Sequence, residues 1–186
     1  MNILQIGCNN CDDHVFDFIQ EHRRDIHFFG VVDALPKCCA KAKEVYKNVR
    51  GFHVYNNAIG TKNERCRFYF PAGEDQSAHA SMSSQHVIRH NHPELDSVEV
   101  NCIDINDFLK GIPHLDRLYI DIEGFDVPVL LHLEDFNIPY IEYEFSHGQS
   151  TFNPGFAHNL LLQKFQEHGY SVQQISEYNC AATKNQ

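Results

Sequence analysis

Short apolar runs alternate with amphipathic stretches along the chain, and their periods predict strands and helices in turn. Asn2–Ile6 is an apolar run closed by Gly7, the pattern of a buried strand. From Cys11 to Glu21, Val15, Phe16, Phe18 and Ile19 recur on one helical face, and Asp12 and Asp13 occupy the first turn, where the helix dipole favours acids. Residues 27–32 form a second buried strand ended by Asp33. Pro36 opens a helix that runs to about Val49, because proline is tolerated in a first turn. Phe52 to Ala58 reads as a third strand, with Gly60 just after it. Three such units in succession favour a parallel, doubly wound sheet with right-handed crossovers.

The middle of the chain is less regular. Residues 66–70 read as a strand broken by Pro71, whereas 72–97 are rich in Ser, His, Gly, Asp and Gln without a clear period. A loop of that length inside a compact domain is usually functional or disordered, and as a functional segment it is expected to be an inserted lid or acceptor-binding loop. Val98–Cys102 then reads as a short strand and Ile105–Lys110 as a short helix. Alternation resumes with a strand over 117–122, a helix over 126–133 and a strand over 140–145. A helix over 157–168, stopped by Gly169, leads to a closing antiparallel hairpin over 170–175 and 178–183. The whole, 1–186, reads as one α/β domain.

Composition narrows the function classes. The 186 residues carry 15 Lys and Arg against 25 Asp and Glu, a formal charge of −10, which argues against nucleic acid or an anionic membrane as partner. No apolar run reaches the length of a membrane span, and no basic-then-apolar leader opens the chain, so a cytoplasmic protein is expected. The seven cysteines, odd in number and with Cys38 and Cys39 adjacent, suit reduced thiols better than a disulfide scaffold. Of the 13 histidines, His79, His86, His90 and His92 cluster. Their spacing matches no standard zinc frame, so no metal is expected.

In an open α/β sheet, ligands bind beyond the carboxyl ends of the strands. Those ends carry Gly7-Cys8-Asn9-Asn10, Asp33, Asn57-Ala58, Asp121-Ile122-Glu123-Gly124 and Glu144-Phe145-Ser146-His147. A glycine after the first strand admits a ligand close to the backbone, and an acid after the second can accept both hydroxyls of a ribose. Together they describe an adenosine site. Glycines of the full dinucleotide fingerprint are missing, which counts against a nicotinamide enzyme.

The ordered set IGCNN, VVDALP, NNAIG, SMSSQHVIRH, IDIEGFDVPVLLHL and IEYEFSH, from about residue 2 to 183, resembles the FkbM-type S-adenosylmethionine-dependent methyltransferases. The most specific piece is Ile120-Asp-Ile-Glu-Gly-Phe-Asp126. The resemblance implies a class I methyltransferase fold, Rossmann-like, with a mostly parallel seven-stranded sheet. It also implies S-adenosyl-L-methionine as cofactor, with Gly7, Asn9 and Asn10 at its methionine part, Asp33 at the ribose and Ala58 near the adenine. By the same resemblance Asp121 and Glu123 would face the reaction centre. Position and chemistry, apart from the resemblance, make His147, just past the strand over 140–145, the first candidate for general base and Glu123 the second, with Asp121 orienting the cofactor or the loop, and Ser83, Ser84 and His86 as hydrogen-bonding groups for the acceptor. The implied reaction is O-methylation of a sugar or other small polyhydroxylated acceptor. Cys11 stands where the family commonly has glycine, and Gln5 where it often has an acid.

Two other readings stay open. Strand, Cys8-x-x-Cys11 and helix is also the layout of a thiol-redox motif, in which the helix N-terminus lowers the first thiol's pKa. A catalytically inactive methyltransferase fold serving as a binding module is the other. The residues leave the oligomeric state open.

Overall fold

The computed structural model describes residues 1–145 and 154–185. Five parallel strands form the heart of the fold: β1 (Asn2–Ile6), β2 (Phe28–Asp33), β3 (Phe52–Asn56), β7 (Arg117–Ile120) and β8 (Tyr140–Glu144). β9 (Tyr170–Gln174) and β10 (Asn179–Lys184) close the sheet, and the order is β3-β2-β1-β7-β8-β10-β9. Only β10 runs against its neighbours. The seven-stranded, mostly parallel architecture with its terminal hairpin is the one expected.

The alternation of side chains across the pleat explains the double winding. Leu4, Ile6, Val32, Leu118, Ile120 and Ile141 turn to one face. There they pack against α4 (Ile105–Lys110), α5 (Asp126–His132) and α6 (Pro154–Glu167) through Ile105, Phe108, Val129, Leu130, Leu161 and Phe165. Their neighbours Ile3, Phe29, Val31 and Tyr119 turn to the other face. That face is covered by α1 (His14–His22) and α2 (Pro36–Val45) through Val15, Ile19, Cys38 and Ala42, with Leu35 just before α2. Apolar residues at consecutive strand positions are thus buried on both sides. Among the described residues, no helix is long and apolar enough to cross a membrane.

Three elements depart from the sequence reading. The expected third strand is two: β3 ends at Asn56, and after Asn57 the chain enters β4 (Ala58–Gly60) in a different sheet. Asn56 Nδ2 donates to the carbonyls of Asp33 (3.0 Å) and Ala34 (2.9 Å), anchoring the end of β3 against β2 as the chain leaves. β4 pairs with β6 (Leu95–Asp104), and β6 pairs with β5 (Glu64–Pro71), giving a separate three-stranded sheet. The segment 72–97 is also more regular than a loop. It contains α3 (Ser84–Arg89) and the start of β6, and an isolated bridge joins Tyr69 to Ser81. This short sheet and α3 roof the carboxyl ends of the main strands.

Candidate active site

The strand order reverses between β1 and β7, and the crevice beyond that point holds a cavity of about 160 Å³. Gly7, Cys8 and Asn9 line it from the end of β1, Asp33 from β2, Asn57 and Ala58 from the β3–β4 junction, and Asp121 and Glu123 from β7. Phe68, Ala80 and Met82 cover it from the second sheet and the 72–97 segment. Residues far apart in the chain converge because each follows a strand pointing the same way.

Gly7 has φ +81°, and a Cβ there would lie 1.7 Å from the carbonyl oxygen of Asp121. The turn is pinned by Gly7 N–H donating to Val32 O (2.8 Å) and Asp121 N–H to Ile6 O (2.9 Å). Asn9 and Cys11 also adopt positive φ, +41° and +56°. Cys11 thus keeps the left-handed backbone that favours glycine, while its side chain is buried in the core among Cys8, Val15 and Ile19 and does not line the cavity. Asn10 is exposed and lies outside the lining, so of the residues expected at the methionine part only Gly7 and Asn9 reach the cavity.

Asp33 Oδ2 accepts from Cys8 N–H (3.1 Å) and Oδ1 from Leu35 N–H (2.9 Å), tying the β1 loop to the start of α2. The Cys8 thiol is 3.5 Å from the same carboxylate. Burial pushes the Asp33 carboxyl above its usual range, and the donated N–H groups oppose it. The Cys8 thiol is raised strongly, by its hydrogen bond with Cys11, by burial and by Asp33. That is the reverse of an activated redox thiol. It counts against the thiol-redox reading, and all seven cysteines are free.

At the tip of β7, Glu123 sits at φ +53° with its carboxylate 2.9 Å from His86 Nε2. Burial and the nearby Asp121, Glu144 and Asp126 push its carboxyl up to about 10. His86, on α3, is only 2% exposed. The sequence marks Glu123 and His86 separately, and nothing in it pairs them across the cavity mouth. Ser83 Oγ accepts from His86 N–H (3.3 Å), so this serine caps α3. Neither Ser83 nor Ser84 lines the cavity. His147 lies outside the described residues.

A smaller cavity of about 110 Å³ shares Gly7, Asp13 and Asp121 with the first and extends under β8 to Glu142. Gln5 donates to Asp13 Oδ2 (2.8 Å), and Asp13 Oδ1 caps α1 at Phe16 N–H (3.0 Å). Gln5 Oε1 and Asn9 Oδ1 are buried acceptors without a hydrogen-bond partner among the described residues. They flank Gly7 and fit a ligand that brings N–H or O–H donors, as an α-ammonium group does. His14 Nε2 lies 2.5 Å from Glu142 Oε1. The hydrogen bond to Glu142 raises the His14 pKa, outweighing the opposing effect of partial burial. A His whose folded pKa is raised adds stability that is fully present below its unfolded value of about 6.5 and lost as pH rises through the folded one. An NMR titration is expected to place His14 above the ordinary value and to bring it down in Glu142→Gln. No change in that variant would refute the pairing.

A family model described as the Methyltransferase FkbM domain matches residues 2–172. Methyltransferase FkbM from Methylobacillus flagellatus KT superposes with a TM-score of 0.61 at 9% identity, over 98% of this chain and 43% of that one. The chain therefore spans less than half of that protein's length. The SAH-bound methyltransferase PaMTH1 of Podospora anserina gives a TM-score of 0.46 at 12% identity, covering 100% of this chain and 72% of that one. The N-methyltransferase NodS of Bradyrhizobium japonicum WM9 gives 0.48 at 10% identity, covering 99% and 86%. No curated protein matches.

Proposed function

This chain is a member of the Methyltransferase FkbM domain family, and from that premise we propose that it moves a methyl group from S-adenosyl-L-methionine to a hydroxyl oxygen of a small polyhydroxylated acceptor such as a sugar. The observation that carries the reading is the convergence of Gly7, Asn9, Asp33, Ala58, Asp121 and Glu123 on one cavity at the reversal of strand order. When bound, the cofactor supplies an electrophilic methyl carbon for in-line attack, a reaction that positioning alone accelerates greatly.

In this proposal the left-handed turn at Gly7 and the Asn9 amide hold the amino-acid end of the cofactor. A carboxylate offers about four acceptor positions. At Asp33 the 3.5 Å thiol contact is the weakest in use, and a ribose hydroxyl would replace it. Ala58 leaves room for an adenine ring against the second sheet. The acceptor would enter beside α3, where Ser83 and Ser84 stand outside the cavity lining and Glu123, paired with the buried His86, orients the hydroxyl. Asp121 shapes the same mouth. His147, which follows β8 in the chain, takes the hydroxyl proton. A charge of −10 suits a neutral acceptor, and free thiols suit the reducing cytoplasm.

Two measurements test this. Calorimetric titration with S-adenosylhomocysteine is expected to show one binding site, and absence of binding to the folded chain would overturn the proposal. Transfer of a radiolabelled methyl group to a panel of sugars and other hydroxyl acceptors would then identify the product. On the acceptor so found, His147→Ala is expected to cut turnover by roughly 10²–10⁴-fold with cofactor affinity unchanged. Unaltered turnover would remove His147 as the base.

A further inference from the structure

We propose that His86, His90 and Glu123 form a binding site for a divalent transition-metal ion of the Zn²⁺ type, at the mouth of the cofactor cavity. One ligand atom from each lies within 4.8 Å of the others. His86 Nε2 and Glu123 Oε2 are already 2.9 Å apart. Neighbouring ligands on an ion with bonds of about 2.0–2.1 Å sit about 3.0–3.4 Å from each other, so the pair is spaced for a shared ion with little movement.

The surrounding contacts set up this geometry. His86 and His90 are one helical turn apart, which puts both rings on the same side of α3. Ser81, fully buried, ties the two halves of the site together: its Oγ donates to Glu123 O (3.0 Å) and accepts from Ser83 N–H (3.1 Å), at the start of α3. The His90 ring stacks on His79 (4.5 Å between centroids), whose Nδ1 lies 3.1 Å from His92 Nε2. Asp121 and Glu144 reach the same carboxylate region as Glu123, so the local field favours a dication. Two imidazoles with one carboxylate select zinc-like borderline ions over Mg²⁺ or Ca²⁺. Spacing along the chain hides the set, because Glu123 stands 37 residues beyond His86.

Three protein ligands leave a coordination position for an outside oxygen, as catalytic metal sites do. Glu123 lines the cofactor cavity, so an ion held by it would border that cavity. The site itself stands apart from the methyl-transfer reading. Only the further role of binding an acceptor hydroxyl there rests on that reading.

The full chain, stripped with a chelator, should be titrated with ZnCl₂ by calorimetry and with CoCl₂ by visible absorption. One equivalent is expected, with Co²⁺ bands of a low-coordinate histidine site. His90→Ala, at a half-buried position, and Glu123→Gln are each expected to weaken uptake by at least about 10-fold, while His132→Ala, outside the set, leaves it unchanged. S-adenosylhomocysteine binding should persist in His90→Ala. Absence of uptake by a chain whose circular dichroism shows it folded would overturn the site, as would uptake unaltered in both ligand variants. Cofactor binding without metal uptake refutes the metal site alone; metal uptake without cofactor binding refutes the methyltransferase reading alone.

Discussion

Gly7→Ala is expected to lower the free energy of unfolding by at least about 3 kcal/mol and to abolish binding of S-adenosylhomocysteine. Two costs combine. Alanine at φ +81° is strained by about 1 kcal/mol. The larger cost is steric: the new Cβ would sit 1.7 Å from Asp121 O and 2.9 Å from its carbonyl carbon. A Cβ has no rotamer by which to escape, so the β1–β7 pairing at Ile6↔Ile120 and the Asp121 N–H to Ile6 O bond must open. That pairing is the seam over which the cofactor cavity forms. Gly73→Ala separates the two costs, because Gly73 has φ +79° and a Cβ there would meet nothing within 4 Å. Denaturant unfolding should show a loss of about 1 kcal/mol for Gly73→Ala and a much larger one for Gly7→Ala. Equal losses would refute the close approach of β1 to β7.

Asp33→Ala is expected to weaken S-adenosylhomocysteine binding by roughly 100-fold, since hydrogen bonds to a charged acceptor are worth about 1.5–3 kcal/mol each. The same change strands the N–H groups of Cys8 and Leu35, so thermal unfolding should fall as well. Asp33→Asn divides the effects: its amide oxygen can still accept from one of these N–H groups, which restores part of the stability, but a neutral amide restores little of the affinity. Calorimetry and thermal unfolding on both variants check this. Wild-type affinity in folded Asp33→Ala would remove Asp33 from the ribose site.

Much of the fold is legible in the chain. β1, β2, β7 and β8 agree with their expected spans to within a residue or two at each end, because short runs rich in aliphatic and aromatic residues, bounded by polar or glycine-containing segments, leave little other interpretation. The terminal hairpin is legible for a similar reason. Its turn residues separate two short runs, and Tyr170 buries its ring while its hydroxyl donates to Phe136 O and Ile138 O. The split at Asn57 is not legible. Phe52–Ala58 reads as a single strand, and nothing local says that Phe52–Asn56 pairs with β2 whereas Ala58–Gly60 pairs with β6, some forty residues on. α3 escapes a reading by period because its only apolar residues, Val87 and Ile88, are adjacent and so define no helical spacing.

The site divides along the same line. Strand-end positions alone place Gly7, Asp33, Asp121 and Glu123 at one edge, since the carboxyl ends of parallel strands must lie together. The sequence also marks Cys11 as standing where glycine is usual, but not that its backbone takes the glycine conformation while its thiol turns into the core. Periodicity records which face of each element is apolar, and that is a local property of side-chain spacing. Which segments then meet is set by burial summed over the whole chain. The contact of His86 with Glu123, made across the roof of the second sheet, could therefore be settled only by packing in three dimensions.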